Sequence, residues 1–200
     1  DGTISTTLEV AVSPEADAEV RRVSISNLGN HAREIELTSY AEVVLAPPAA
    51  DAAHPAFSKL FVQTEFVAAV GALLATRRQR SPGDPQVWAA HLAVVEGESV
   101  GDLGFETDRA RFLGRGCDVR TPITVMDGRP LSNTVGTVLD PVFSLRRRMR
   151  LPPGGTARVA FWTLIAPSRS DALDLADKHL DPSAFERAVT LAWTQAQVQL

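Results

Sequence analysis

The sequence is short of the features that most directly announce a function. Its 200 residues include one cysteine, Cys117, which can close no internal disulfide and build no thiolate metal site alone. That usage fits a reducing compartment, and cytoplasmic exposure is the expectation. Basic charge is not in excess: 20 Lys and Arg against 24 Asp and Glu leave a formal net charge of -4, so no general attraction to phosphate backbones exists and nucleic acid is not an expected partner. Long apolar runs are also missing. The most apolar stretch, 66–75, is well short of the roughly 20 residues that a membrane-spanning helix needs. The first residues carry neither a basic start nor an apolar signal core and enter a strand-like pattern at once, which predicts a chain that begins inside a larger fold.

Catalytic constellations are equally scarce. His31, His54, His91 and His179 are scattered, with neither the i, i+4 spacing nor the Cys and carboxylate neighbours of a zinc site, so no metal and no cofactor is expected. Gly114-Arg115-Gly116 lacks the third glycine and the following helix of a nucleotide-binding fingerprint. Cys117 has Arg115 and Arg120 nearby but no identified base, and reads as an incidental thiol. Carboxylates are plentiful, yet cleaving a glycosidic bond requires a carboxyl group held across it in a pocket, which spacing along the chain does not demonstrate. A complete active site is therefore not expected.

What is present is a globular composition, 44% hydrophobic and 22% charged, with a strongly β pattern. Ile4, Thr6, Leu8, Val10 and Val12 alternate with polar or small residues, the period of a strand with one buried face. A second strand over 20–28 ends in the turn Asn27-Leu28-Gly29-Asn30, and a long third strand over 34–45 is predicted to return beside it as a meander. Three prolines and five alanines over 46–55 predict a surface loop. Strands follow at 59–65, 71–78 and 86–95, the last two separated by the turn Ser81-Pro82-Gly83-Asp84-Pro85. The region 103–122 predicts only a short strand near Phe105 and an irregular loop. A hairpin over 143–151 and 157–165 turns at Pro152-Pro153-Gly154-Gly155.

Past Pro167 the period changes to three and four, through Ala172, Leu175, Ala176, then Phe185, Val189, Ala192, Ala196 and Leu200, predicting two helices. Asp181-Pro182, or Ser183 with Glu186, supplies the start of the second. The expected fold is thus all-β, a two-sheet antiparallel sandwich over 1–167 with C-terminal helices over 168–200.

Several side chains deserve weighing individually. His91 shares an apolar face with Val87 and Val95 and reads as a hydrogen-bonded core histidine. Arg146, Arg148 and Arg150 project from one strand face, where pairing with Glu34, Glu36 and Glu42 is favoured over binding an anion. Trp88, Trp162 and Trp193 are rings large enough to stack on a sugar, but core or interface packing is the preferred reading for each. Trp193 is expected to dock its helix on the sandwich or on a neighbour.

Four stretches carry a family resemblance. They are Glu34-Ile35-Glu36-Leu37-Thr38-Ser39-Tyr40-Ala41-Glu42; His54-Pro55-Ala56-Phe57-Ser58-Lys59-Leu60-Phe61; Glu106-Thr107-Asp108-Arg109 with Phe112-Leu113-Gly114-Arg115; and Leu139-Asp140-Pro141-Val142-Phe143-Ser144-Leu145-Arg146-Arg147. In order and spacing they resemble the β-sandwich domain of the inverting glycoside phosphorylases, the cellobiose and chitobiose phosphorylase family, and most closely the phosphorylase-like region of cyclic β-1,2-glucan synthases. The resemblance implies a supersandwich of galactose-mutarotase-like type, followed by a helical linker beginning at 183–200 and an α/α barrel that holds the catalytic acid.

It further implies a non-catalytic role within a β-glucan-processing glycosyltransferase or phosphorylase whose parent is attached to the bacterial inner membrane. The implied partners are a β-glucan or oligosaccharide, the protein's own catalytic barrel, and a second copy in a homodimer. By the same analogy the 46–60 loop is the contact region, with His54, Phe57 and Lys59 as carbohydrate-binding residues. A purely structural or dimerisation module is the alternative.

Overall fold

A computed structural model describes residues 2–81 and 83–198. Asp1, Pro82, Gln199 and Leu200 lie outside the described residues, and with them one member each of the predicted proline turn and the final helical stripe. The strands are β1 Ile4–Val12, β2 Ala18–Asn27, β3 Arg33–Thr38, β4 Ala41–Glu42, β5 Val62–Val67, β6 Ala72–Arg77, β7 Trp88–Glu96, β8 Glu98–Asp108, β9 Pro141–Leu151 and β10 Thr156–Ala166. The helices are α1 Pro48–Ala53, α2 Pro55–Lys59, α3 Arg109–Leu113, α4 Ile123–Met126, α5 Arg169–His179 and α6 Ser183–Val198.

All strand pairs are antiparallel. One sheet has six strands in the order β1-β2-β10-β7-β6-β5; the other is centred on β9, which pairs with β3, β4 and β8. Helices α5 and α6 cover the outer face of the six-stranded sheet. Strand β10 shows why that sheet needs two covers. Ala157, Val159 and Phe161 point into the core between the sheets with Phe143, Leu145 and Met149, while Ala160, Trp162 and Leu164 point toward Ala172, Ala176 and Phe185 of the helices. Burying a large apolar side chain contributes about 1.5–3 kcal/mol, so both interfaces matter to stability.

The predicted meander is corrected. β3 does not return beside β2 but crosses to the second sheet, pairing Ile35 with Met149 and Leu37 with Arg147. Alternation identifies a strand without naming its partner. The crossover is held by Asn27, fully buried, whose Nδ2 donates to the carbonyls of His31, Leu151 and Pro152 while its Oδ1 accepts from Gly29 N–H. The long strand predicted over 34–45 is interrupted after Thr38, yet the register survives: Thr38 faces Arg146 and Ala41 faces Phe143. At the break, Leu145 N–H donates to the Ser39 hydroxyl, which replaces a ladder carbonyl.

Three other expectations change. The 46–55 segment is helical in α1 and α2, because each helix begins at a proline whose φ is already set for a first turn, and alanine is the best helix former. The strand expected from residue 59 starts at Val62, since Lys59 ends α2. β8 is 11 residues long where only a short strand was predicted; its register shifts between Val100 and Gly104, and Gly101 adopts φ 71°, so the alternation is disguised. The closing helices follow the predicted period. Ser168 caps α5 by accepting from Asp171 N–H, and Asp181 accepts from Ser183 N–H at the entry to α6.

Candidate functional site

The four stretches that carry the family resemblance, distant in sequence, meet at one place. Each supplies one member of an ion-pair chain. Lys59 Nζ lies 2.7 Å from Asp140 Oδ1, Asp140 Oδ2 lies 3.5 Å from Arg109 Nη1, and Arg109 Nε lies 3.0 Å from Glu42 Oε1. Tyr40 joins it, accepting from Arg109 Nε at 3.1 Å and donating to Glu42 at 3.1 Å; burial raises its phenol above the usual range. Arg109 N–H also donates to the Asp140 carbonyl, so backbone and side chain fix the same junction.

This chain of charges anchors the 46–60 loop against the second sheet. Ser58, buried, accepts at its carbonyl from Arg77 Nη1 at 2.5 Å. Beyond these anchors the loop presents its side chains outward. His54 is exposed at the α1–α2 junction, where its backbone N–H donates to Ala50 and its carbonyl accepts from Ser58. Phe57 is half-exposed and meets Phe61 edge-on, with centroids 5.2 Å apart. Of the three predicted contact residues, then, His54 and Phe57 face outward from one loop, while the Lys59 ammonium is turned into the ion pair.

The loop forms one wall of a 470 Å³ cavity, lined by Pro47, Ala50, Arg77, Arg78, Arg80 and Asp84 among others. Sequence reasoning passed over these arginines, although Arg77-Arg78-Gln79-Arg80 stands before a proline-glycine turn and is a legible basic run. Arg109 and Asp140 were read only as motif letters, because no local pattern reveals that they meet Lys59.

A second concavity of 670 Å³ opens between the sheets, with Leu8, Val12, Arg21, Tyr40, His91 and Ile165 in its lining. It lies beside β1, whose inward row is left uncovered: Leu8 is 60% exposed, Val10 55% and Val12 63%. His91 closes the floor, with Nε2 2.8 Å from Ser39 Oγ and Nδ1 3.1 Å from Thr163 Oγ1, and its ring is stacked near Phe143 and Phe161. Burial pushes its pKa down to about 4, so it is neutral at pH 7 and is the hydrogen-bonded core histidine its strand face predicts.

The remaining candidates resolve individually. Arg148 pairs with Glu36 as predicted, at 2.5 Å. Arg146 also lies 3.7 Å from Glu36, as predicted, but turns inward to clamp the carbonyls of Thr124 and Arg129, with burial lowering its pKa, and Glu42 pairs with Arg109 rather than with this row. Glu34 and Arg150 share register without forming an ion pair. Trp162 is buried against His179, whereas Trp193 is 68% exposed, so of the two placements expected for it the sandwich is ruled out: α6 is buried through Ala184, Phe185 and Ala188, with Val189 packed beside them. Glu106, 1% exposed, accepts from the N–H groups of Thr107, Asp108 and Ser132 and from the Ser132 hydroxyl, fixing the segment that carries Arg109. Among the described residues no group of three His, Cys, Asp or Glu side chains is placed to hold a metal ion, and no helix is long and apolar enough to cross a membrane.

Comparison with known proteins places this geometry. The chain is 42% identical over 199 residues to the cyclic β-(1,2)-glucan synthase NdvB of Rhizobium meliloti; the match covers 100% of this chain and 7% of that protein's length. A solved polysaccharide lyase structure overlaps 88% of this chain and 22% of its own, with a TM-score of 0.48 and 12% identity. Residues 1–182 match the family described as glycosyl hydrolase 94, supersandwich domain, and with that match spanning nearly all of the anchored core, the chain belongs to this supersandwich family.

Proposed function

We propose that the chain is a non-catalytic, carbohydrate-associated part of a larger β-glucan-processing enzyme, a glycoside phosphorylase or a cyclic glucan synthase. In this reading the sandwich over 1–167 presents the 46–60 loop to a β-glucan or to the catalytic domain that holds it. The helical segment from 168 onward leads toward that machinery, which supplies the catalytic acid. The parent lies on the cytoplasmic side, attached to the bacterial inner membrane.

The observation that carries the reading is the Lys59–Asp140–Arg109–Glu42 chain, which fixes a loop whose outward side chains, His54 and Phe57, remain available to a ligand. An aromatic face beside polar groups is the usual means of holding a sugar. The test is a titration of the chain with linear and cyclic β-1,2-glucans and cello-oligosaccharides, followed by NMR, with a phosphorolysis assay in parallel. Saturable shifts centred on 46–60 without turnover support the proposal. Absence of binding up to millimolar sugar, or turnover by the chain itself, overturns it.

A second reading, a structural and dimerisation module without its own ligand, is favoured by one feature. β1 is an edge strand that carries the exposed row of Leu8, Val10 and Val12. A concentration-dependent dimer in sedimentation, with no sugar-induced shifts, would select it.

A further inference from the structure

We propose that the 470 Å³ cavity between the 45–50 segment and residues 77–80 and 84–87 binds an anionic saccharide, a sugar ring bearing a phosphate or carboxylate group. The inference rests on the carbohydrate reading above and names the ligand class for that face. Three guanidinium groups gather about one ring: Arg77, Arg78 and Arg80 lie 5.4, 5.7 and 5.4 Å from the Phe61 centroid, and Arg80 is also 5.4 Å from that of Phe57. Aromatic faces attract each cation, but the three repel one another, and an entering anion relieves that repulsion.

The local carboxylate offsets only one of the three positive charges, Asp84 drawing electrostatically on Arg80. Asp84, on the cavity wall, has its oxygens occupied by the N–H groups of Arg80 and Ser81 and by the Ser81 hydroxyl, and these hydrogen bonds hold its carboxyl below the usual range. Arg77 is committed to Ser58, but among the described residues neither Arg78 nor Arg80 forms an ion pair. A guanidinium offers a planar fork that matches phosphate or carboxylate geometry.

The opposite wall suits a sugar. Leu45, Ala46, Pro47 and Ala50 give an apolar surface for the C–H face of a pyranose. The volume is within the roughly 300–1,000 Å³ of small-molecule sites. Cationic donors on one side and apolar carbon on the other match a ligand with an oxyanion at one end and a ring at the other.

The test is calorimetry and NMR on the chain at fixed ionic strength with glucose 6-phosphate, glucuronate, glucose, inorganic phosphate and sulfate. Saturable binding of glucose 6-phosphate or glucuronate is expected, with shifts at 45–50 and 77–80, at least tenfold tighter than glucose or inorganic phosphate. R78Q and R80Q, both at exposed positions, are expected to weaken it about tenfold each, with melting curves confirming the fold. If inorganic phosphate or sulfate binds as tightly as the sugar phosphate, or if binding survives both substitutions, the site is overturned. Neutral glucan binding at 46–60 without any anion binding overturns this inference alone; anion binding at 77–80 without neutral glucan binding retains the site and removes the β-glucan reading.

Discussion

Lowering the pH should destabilise this fold through His91 in a way that can be isolated. The imidazole is enclosed between the sheets, and burial pushes its pKa down to about 4 from an ordinary value near 6.5. The unfolded chain therefore binds a proton that the folded chain refuses. For a group whose folded pKa is depressed in its neutral form, the stability contribution is complete above about pH 6.5, falls as pH drops toward about 4, and then levels off. The full shift corresponds to about 3 kcal/mol, of which roughly 2.5 kcal/mol is lost by pH 4.5. Urea melts of the native chain and H91Q at intervals from pH 7.5 to 4.5 give the assay. H91Q is less stable at pH 7, because Ser39 and Thr163 lose a partner, but the gap between the two proteins should narrow by about 2.5 kcal/mol on acidification. Parallel stability curves, or an imidazole resonance titrating near 6.5, would refute the assignment.

Other perturbations test the anchors. E106Q should cost about 2 kcal/mol in urea melts, since the amide places N–H groups against Ser132 N–H where a carboxylate oxygen accepted. N27A should cost about 2 kcal/mol by leaving the buried Leu151 carbonyl without this donor, with the loss visible as faster amide exchange at 151–155. D140N is expected to cost only about 1 kcal/mol globally, because the Lys59 pair is partly solvated, while markedly accelerating exchange over 54–60. V10S should leave stability within about 0.5 kcal/mol and lower any self-association measured by sedimentation.

Much of the fold was legible because burial on one face leaves a period of two. β1, β2, β9 and β10, and the helical period past Pro167, are all present where the pattern placed them. What did not show was pairing. The alternation of Ile35 and Leu37 is the same whether the neighbour is β2 or β9, and the decision rests on Asn27, one buried amide whose acceptors lie as far as 125 residues away. β8 was hidden for another reason: glycines 101 and 104 and a register shift break the alternation that a regular strand displays. At the candidate site, Phe57 and His54 were readable as loop side chains. The partner of Lys59 was not, since Asp140 is 81 residues distant and its neighbourhood reads only as a turn.

β10 has a consequence for where this protein can be divided. The change from strands to helices at Pro167 looks like a seam, and by chain topology it is one. Thermodynamically it cuts through a shared interior, because Trp162 and Leu164 on the sheet are buried by Ala172, Ala176 and Phe185 beyond the seam. A truncation at 167 would bare an aromatic and aliphatic surface on the middle of a six-stranded sheet, so the shortest stable unit extends through Val189. Past Val189 none of the described α6 residues is buried, and exposed Trp193 is free to serve a different neighbour. One continuous helix is thus structural at its beginning and outward-facing at its end.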